Sequence, residues 1–292
     1  MRSDAFSKCH PAVNFLFFVG AIGCGVVIQH PAYLLAGIVA GAIYYLLLNG
    51  KKGWKTILGL LPLFVFLTAI NPLFNTYGET VLFRIFDRPY TFEALLYGAA
   101  IAAMFVQMLL WFGCYNKVLT SDKFTSLFGN LIPAISLLLV MVLRMVPNLI
   151  RKTQQIIGAR KSIGKGAADA AATKEKLNDG MTVLGALTSW TLEGSVVTGD
   201  SMRARGYGTA KRSSFMIYRM TGSDWLLLVA MAGFLAATVT AACLGQMRAN
   251  FTPELDIAPT SWGVIAYTGY LLIPTALHIK EAIQWHISRS RI

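Results

Sequence analysis

LIPAISLLLVMVLRMVPNLIRKTQQIIGARK, Leu131 to Lys161, starts as hydrocarbon and ends as a charged helix surface. Leu131 to Val146 is nearly all apolar and about 16 residues long, marginal for a helix that must cross about 30 Å of lipid. Through Arg144 and Pro147 the run passes into Asn148–Lys161. There Leu149, Ile150, Ile156 and Ile157 supply an apolar face, and Arg151, Lys152, Gln154, Gln155 and Arg160 the polar positions. The pattern predicts one long bent helix. Pro147 supplies the kink, because its ring removes a backbone donor and crowds the preceding turn. A charge at Arg144 is costly inside the bilayer but can snorkel at its edge, which places the second half along the cytoplasmic surface. Gly164 is a suitable C-cap, so Arg160 falls near a helix C-terminus, where exposed carbonyls favour a cation.

Downstream, Lys165–Gly180 is rich in Ala, Lys and Asp and reads as a solvated linker or short helix. A second amphipathic helix is expected from about Met181 to Arg205. Its small residues Gly185, Ser189, Gly194, Ser195 and Gly199 would permit close helix approach. Met202-Arg203-Ala204-Arg205-Gly206 closes it, with Gly206 available for a left-handed cap. Both arms therefore end on an Ala-Arg element, Ala159-Arg160 and Ala204-Arg205.

Outside this basic island the chain is strongly apolar. Of its residues 55% are hydrophobic and only 14% charged, with a mean hydropathy of +0.56, too apolar for a soluble domain of this length. Apolar runs place membrane spans near Val13–Ile28, Pro31–Leu48, Trp54–Ile70, Glu93–Tyr115, Asp224–Gln246 and Ser261–Ile279. The first lacks the flanks of a cleaved leader, since a second span follows it directly, and is read as retained. With both termini cytoplasmic, the inner segments hold all but Arg84, Arg88 and Arg248 of the 26 Lys and Arg residues. The net charge of +12 thus follows from topology, with attraction to anionic lipid added, and nucleic-acid binding is not needed to explain it. Trp54, Trp111, Trp225 and Trp262 fall near span ends, as interfacial anchors do.

Catalytic chemistry has few parts here. Cys9, Cys24, Cys114 and Cys243 are single, and His10, His30, His278 and His286 are dispersed, so packing roles are expected and no metal site. Gly50-Lys51-Lys52-Gly53-Trp54-Lys55-Thr56 has the flavour of a phosphate loop, but its glycines are too close and it precedes a membrane span. Glu93 and Asp224 sit at span edges, which leaves no paired buried carboxylates for a proton relay. Two basic helix ends can reflect no more than dipole compensation and lipid contact. Their pairing also fits docking, since arginine's planar fork engages carboxylates or carbonyls in a groove of a soluble partner.

At these residues the chain resembles the transmembrane T component of energy-coupling factor (ECF) transporters, relatives of the cobalt-transport permease. The likeness runs through His10-Pro11, Asn71-Pro72-Leu73-Phe74 with Gly78, Arg144-x-x-Pro147, and the two Ala-Arg elements. It is closest in Ser201-Met202-Arg203-Ala204-Arg205-Gly206-Tyr207. The family pattern is commonly Ala-Arg-Gly or Ala-Arg-Ser, whereas here Lys161 follows Arg160 and Ser162 comes one place later.

The resemblance implies a non-catalytic scaffold in a bacterial or archaeal cell membrane. Such a chain joins two ABC-type ATPase subunits to a substrate-binding S component that captures a vitamin or metal ion. ATP and Mg would be bound by the partners and no cofactor by this chain. It also implies that the arms are coupling helices hinged at Arg144 and Pro147. Their docking residues would be Ala159, Arg160, Lys161 and Ser162 on the first, and Ala204, Arg205 and Gly206 on the second.

The expected architecture is an all-α integral membrane protein with about six transmembrane helices and a cytoplasmic pair of long amphipathic coupling helices. Residues 1–116 and 224–292 would form the membrane part and 117–223 the coupling region. A self-contained secondary transporter is the alternative; it would normally show internal repeats or broken helices with buried polar groups, which the sequence does not display. An integral membrane enzyme would need a cluster of His, Asp or Glu that the dispersed acids do not supply.

Overall fold

A computed structural model describes residues 5–75, 80–85, 88–129, 133–164, 173–209, 218–250, 256–259 and 261–289. Gly78, Leu131, Ile132 and the first half of the expected linker, 165–172, lie outside these. In chain order the elements are α1 (Ala5–Lys8), α2 (Pro11–Val27), α3 (Pro31–Asn49), α4 (Lys51–Phe74), β1 (Val81–Ile85), β2 (Arg88–Thr91) and α5 (Phe92–Val118). They continue with α6 (Ser121–Gly129), α7 (Pro133–Ser162), α8 (Thr173–Ala204), α9 (Gly222–Cys243), β3 (Ala249–Asn250), β4 (Asp256–Ile257) and α10 (Trp262–Arg289). The fold is overwhelmingly helical. Two small antiparallel hairpins, β1–β2 and β3–β4, depart from the all-α expectation. The chain divides into one unit of Met1–Phe124 with Tyr218–Ile292, and a second of Thr125–Ile217.

The first unit is an integral-membrane bundle by length and composition. Among the described residues, α3, α4, α5, α9 and the Trp262–Trp285 part of α10 are long and apolar enough to cross a membrane. Five of the six expected spans thus have helices of full length. The sixth corresponds to α2, whose 17 residues reach about 25 Å at 1.5 Å per residue, a few Å less than the hydrocarbon thickness.

Local sequence sets the helix starts. A His-Pro-Ala step opens both α2 and α3: each proline occupies the first turn, where its missing N–H is no loss, and the preceding histidine caps. The Nδ1 atoms of His10 and His30 accept from the Ala12 and Ala32 amides, both at 3.2 Å. That leaves the His30 proton on Nε2, which donates to the Ala258 carbonyl at 2.9 Å. At the start of α9, Asp224 Oδ2 accepts from the Thr221 amide at 2.9 Å and its hydroxyl at 2.8 Å, while Oδ1 accepts from the His10 amide at 3.3 Å. One buried carboxylate therefore ties the beginnings of α2 and α9 together.

The core lies among α2, α3, α5 and α10 and is aromatic. Phe17 stacks on Tyr270 at 5.1 Å and meets Trp111 edge-on at 5.6 Å, and Tyr33 lies 5.7 Å from Tyr267. Trp111 is fully buried, and its indole N–H donates to the Gly37 carbonyl at 3.2 Å. Its expected interfacial role is corrected: the packed α2–α3–α5 contact, not lipid headgroups, takes this ring. Trp54, Trp225 and Trp262 are exposed on the bundle surface.

Polar groups are buried in this core, contrary to the expectation from sequence. Gln107 Nε2 donates to the Tyr267 hydroxyl at 2.8 Å, joining α5 to α10, while its Oε1 has no partner among the described residues. Both polar side-chain atoms of buried Asn14 also lack partners among the described residues. The Tyr270 hydroxyl donates to the Phe17 carbonyl at 2.9 Å.

Lysines fasten the ends of α3 and α5. Lys117 Nζ donates to the Leu48 carbonyl, and to Asn49 Oδ1 at 2.7 Å. Lys123 donates to the Val118 carbonyl at 3.0 Å and to Ser7 Oγ at 2.9 Å. Cations at carbonyl-rich helix ends complement the dipole. The Asn71-Pro72-Leu73-Phe74 stretch, expected after the third span, instead forms the last turn of α4.

Candidate functional site

The second unit holds the two arms. α7 runs as a single helix from Pro133 to Ser162 with Pro147 inside it; without a proline N–H, the Leu143 carbonyl loses its usual helix donor. Arg144 and Pro147 are exposed. α8 begins at Thr173, so the latter part of the expected linker is helix. Lys174 and Lys176 are exposed in its first turn, and composition alone does not separate linker from helix.

Two side-chain contacts fix how the arms pair. Arg160 donates through Nη2 to Asp179 Oδ1 in an ion pair, and the Lys152 ammonium lies 5.3 Å from the centre of the Trp190 ring. Moving back along α7 from Arg160 to Lys152 moves forward along α8 from Asp179 to Trp190. The arms are therefore antiparallel. Arg205 lies roughly 26 positions beyond Asp179, on the order of 40 Å along a straight helix. The two Ala-Arg elements sit toward opposite ends of the hairpin.

The two arginines differ in surroundings. Arg205 is exposed, as are Arg203, Ala204 and Gly206. The Arg160 side chain retains 21% exposure against 18% for Asp179, and its Nε is buried without a partner among the described residues. Ala159, Lys161 and Ser162 are exposed, with the Ser162 hydroxyl donating to the Gly158 carbonyl at 3.1 Å. Asp179 is a residue that sequence reasoning missed; its partnership depends on antiparallel register, for which the single sequence gives no local signal.

The ends of the arms are capped as their glycines suggest. Gly206 has φ +73° and Gly164 φ +72°. The Gly206 amide donates to the Arg203 carbonyl at 2.9 Å, and the Tyr207 amide to the Met202 carbonyl at 3.0 Å. These are the two bonds of a Schellman cap. Gly206→Val places a branched side chain in the left-handed region, at a cost of about 1–2 kcal/mol. Amide hydrogen exchange at Gly206 and Tyr207 is expected to accelerate roughly tenfold, and unchanged rates would show that the cap does not hold this turn.

The small-residue stripe of α8 behaves differently from expectation. A methyl group added at Gly185, Gly194 or Gly199 would meet nothing within 4 Å, so these glycines make no close approach among the described residues. Leu184, Leu192, Val196 and Val197 are exposed on the same helix. On α7, Val146, Leu149, Ile150, Thr153 and Gln154 line a shallow depression. Among the described residues no group of three or more His, Cys, Asp or Glu could hold a metal ion.

No protein-family model matches the chain, and neither does any curated protein.

Proposed function

We propose that this chain is the T component of an ECF-type ATP-driven importer: a scaffold without catalysis of its own that couples two ABC-type ATPases to a substrate-binding membrane subunit. The observation that carries this is the antiparallel α7–α8 hairpin, with an arginine near the C-terminus of each helix and the two toward opposite ends. One soluble partner at each end is the arrangement such a hairpin suits, and a pair of ATPases in one dimer supplies two equivalent grooves. ATP and Mg belong to those partners. Closure of the ATPase dimer would move the arms, and the membrane helices would pass that motion to the S component, which selects a vitamin or metal ion. The apolar helices of the first unit place the chain in a membrane; a bacterial or archaeal cell membrane, with both termini cytoplasmic, is part of the proposal.

The test is purification in mild detergent after co-expression with the native gene neighbourhood. ATPases that co-purify and require Arg205 support the assignment; a chain that purifies alone in every expression context overturns it. The buried Gln107–Tyr267 pair and unpartnered Asn14 favour, as a second reading, a self-contained secondary transporter, because polar groups at bilayer depth often mark solute paths. Solute flux in liposomes holding this chain alone would select that reading.

A further inference from the structure

We propose that Asp179 is an internal competitor for Arg160: in the free subunit it occupies the guanidinium that a docking partner must engage, so partner binding at this end of the hairpin requires a switch of carboxylates. This rests on the docking role proposed for Arg160.

Three observations carry it. The ion pair joins the last turn of α7 to the early part of α8 within one unit, so it forms without any partner. Both side chains are about four-fifths covered, which shields the pair from competing water and salt more than an exposed pair would be. And the pairing is incomplete. Asp179 takes Nη2 alone, while Nε is buried without an acceptor among the described residues.

A guanidinium presents its donors as a planar fork, and a carboxylate facing its Nε edge satisfies two of them at once. Asp179 makes no such bidentate match. A partner acceptor that does would leave no buried donor unmet, and removing an unmet buried donor is the favourable part of the exchange. The two Ala-Arg elements then differ in kind. Arg205 has no ion-pair partner among the described residues and is exposed, whereas Arg160 is held until exchanged. The Arg205 end would engage first and the Arg160 end second.

The first arm of the test uses the purified chain alone. Phenylglyoxal modifies accessible arginine guanidinium groups, and peptide mass spectrometry reads its rate at Arg160. Asp179→Asn removes the charge but keeps an oxygen acceptor, and Asp179→Ala removes both. A rate three- to tenfold higher in the alanine variant, with the asparagine variant between it and wild type, is expected. Equal rates in all three proteins would overturn the internal competition, whatever the partner.

The second arm measures association with the ATPases co-expressed from the same gene neighbourhood. Asp179→Ala is expected to tighten it by about the same factor. Weaker association, at normal thermal stability, would overturn competition and make Asp179 a residue that presents Arg160. If Arg160→Ala leaves association unchanged, the docking role itself fails, and the proposal with it. The first arm keeps that failure distinct, because it involves no partner.

Discussion

With both arginines reversed, Arg160→Glu together with Arg205→Glu, the coupling role proposed above predicts that ATP-dependent uptake by the co-expressed complex falls to background while membrane insertion is preserved. A charge-assisted, bidentate contact contributes about 2 kcal/mol to association. Two such contacts, lost together, correspond to about three orders of magnitude in affinity. Reversal goes beyond removal, since a carboxylate facing a groove built for a guanidinium adds repulsion. Arg205→Glu alone should have the larger single effect: Arg205 is exposed and has no ion-pair partner among the described residues, so on the proposed role the whole of its interaction is made on docking, whereas Arg160 exchanges one acceptor for another. Lys174→Glu, an exposed change at the far end of α8 from Arg205, is the charge control. Uptake that survives the double reversal in a working complex would eliminate docking through these two residues.

The other large effect lies in the bundle. A methyl group at Gly37 would sit 2.3 to 2.5 Å from three atoms of the Gln107 amide, and one at Gly25 would sit 2.5 Å from its Nε2. The amide of Gln107 is wedged between these two glycines while it bonds Tyr267. It has nowhere to withdraw. Gly37→Val is therefore expected to destabilise the bundle by about 3 kcal/mol, the upper part of the range for overpacking a close-packed interior. The decisive comparison is in a Gln107→Ala background. There the obstructing amide is gone, at the cost of one interhelical hydrogen bond of about 1 kcal/mol, and the further cost of Gly37→Val should drop below about 1 kcal/mol. Thermal unfolding in detergent reads all four proteins. Simple additivity of the two changes would mean that Gly37 and Gln107 do not meet.

What could be seen in advance divides along a physical line. Membrane spans announce themselves through composition, and five were placed to within a few residues at most ends. The helices outrun their apolar windows because nothing in the bilayer requires a helix to stop at its edge: α4 starts at Lys51, and α10 carries on to Arg289. Caps were legible as well, since Gly164 and Gly206 announce a left-handed residue locally. Interhelical facts were not. Trp111 has the composition of an interfacial anchor, yet its neighbours along the chain say nothing of the α3 carbonyl that accepts its proton. Gln107 stands in the sequence as one polar residue in an apolar run, with nothing local to indicate Tyr267. For the candidate site, the arginines were evident from pattern while Asp179 was hidden in a segment read as linker, because ion pairing depends on the register between α7 and α8.

The aromatic core has a consequence for biosynthesis. Phe17 and Gln107 find their hydrogen-bonding and stacking partners, Tyr270 and Tyr267, on α10, far along the chain from both. While the ribosome is still producing α10, the earlier helices are already in the bilayer with those positions unfilled, and the Gln107 amide faces hydrocarbon or a transient neighbour. The bundle therefore stays incomplete until α10 arrives. A chain cut short before Tyr267 is expected to leave the Gln107 amide without that partner in the bilayer.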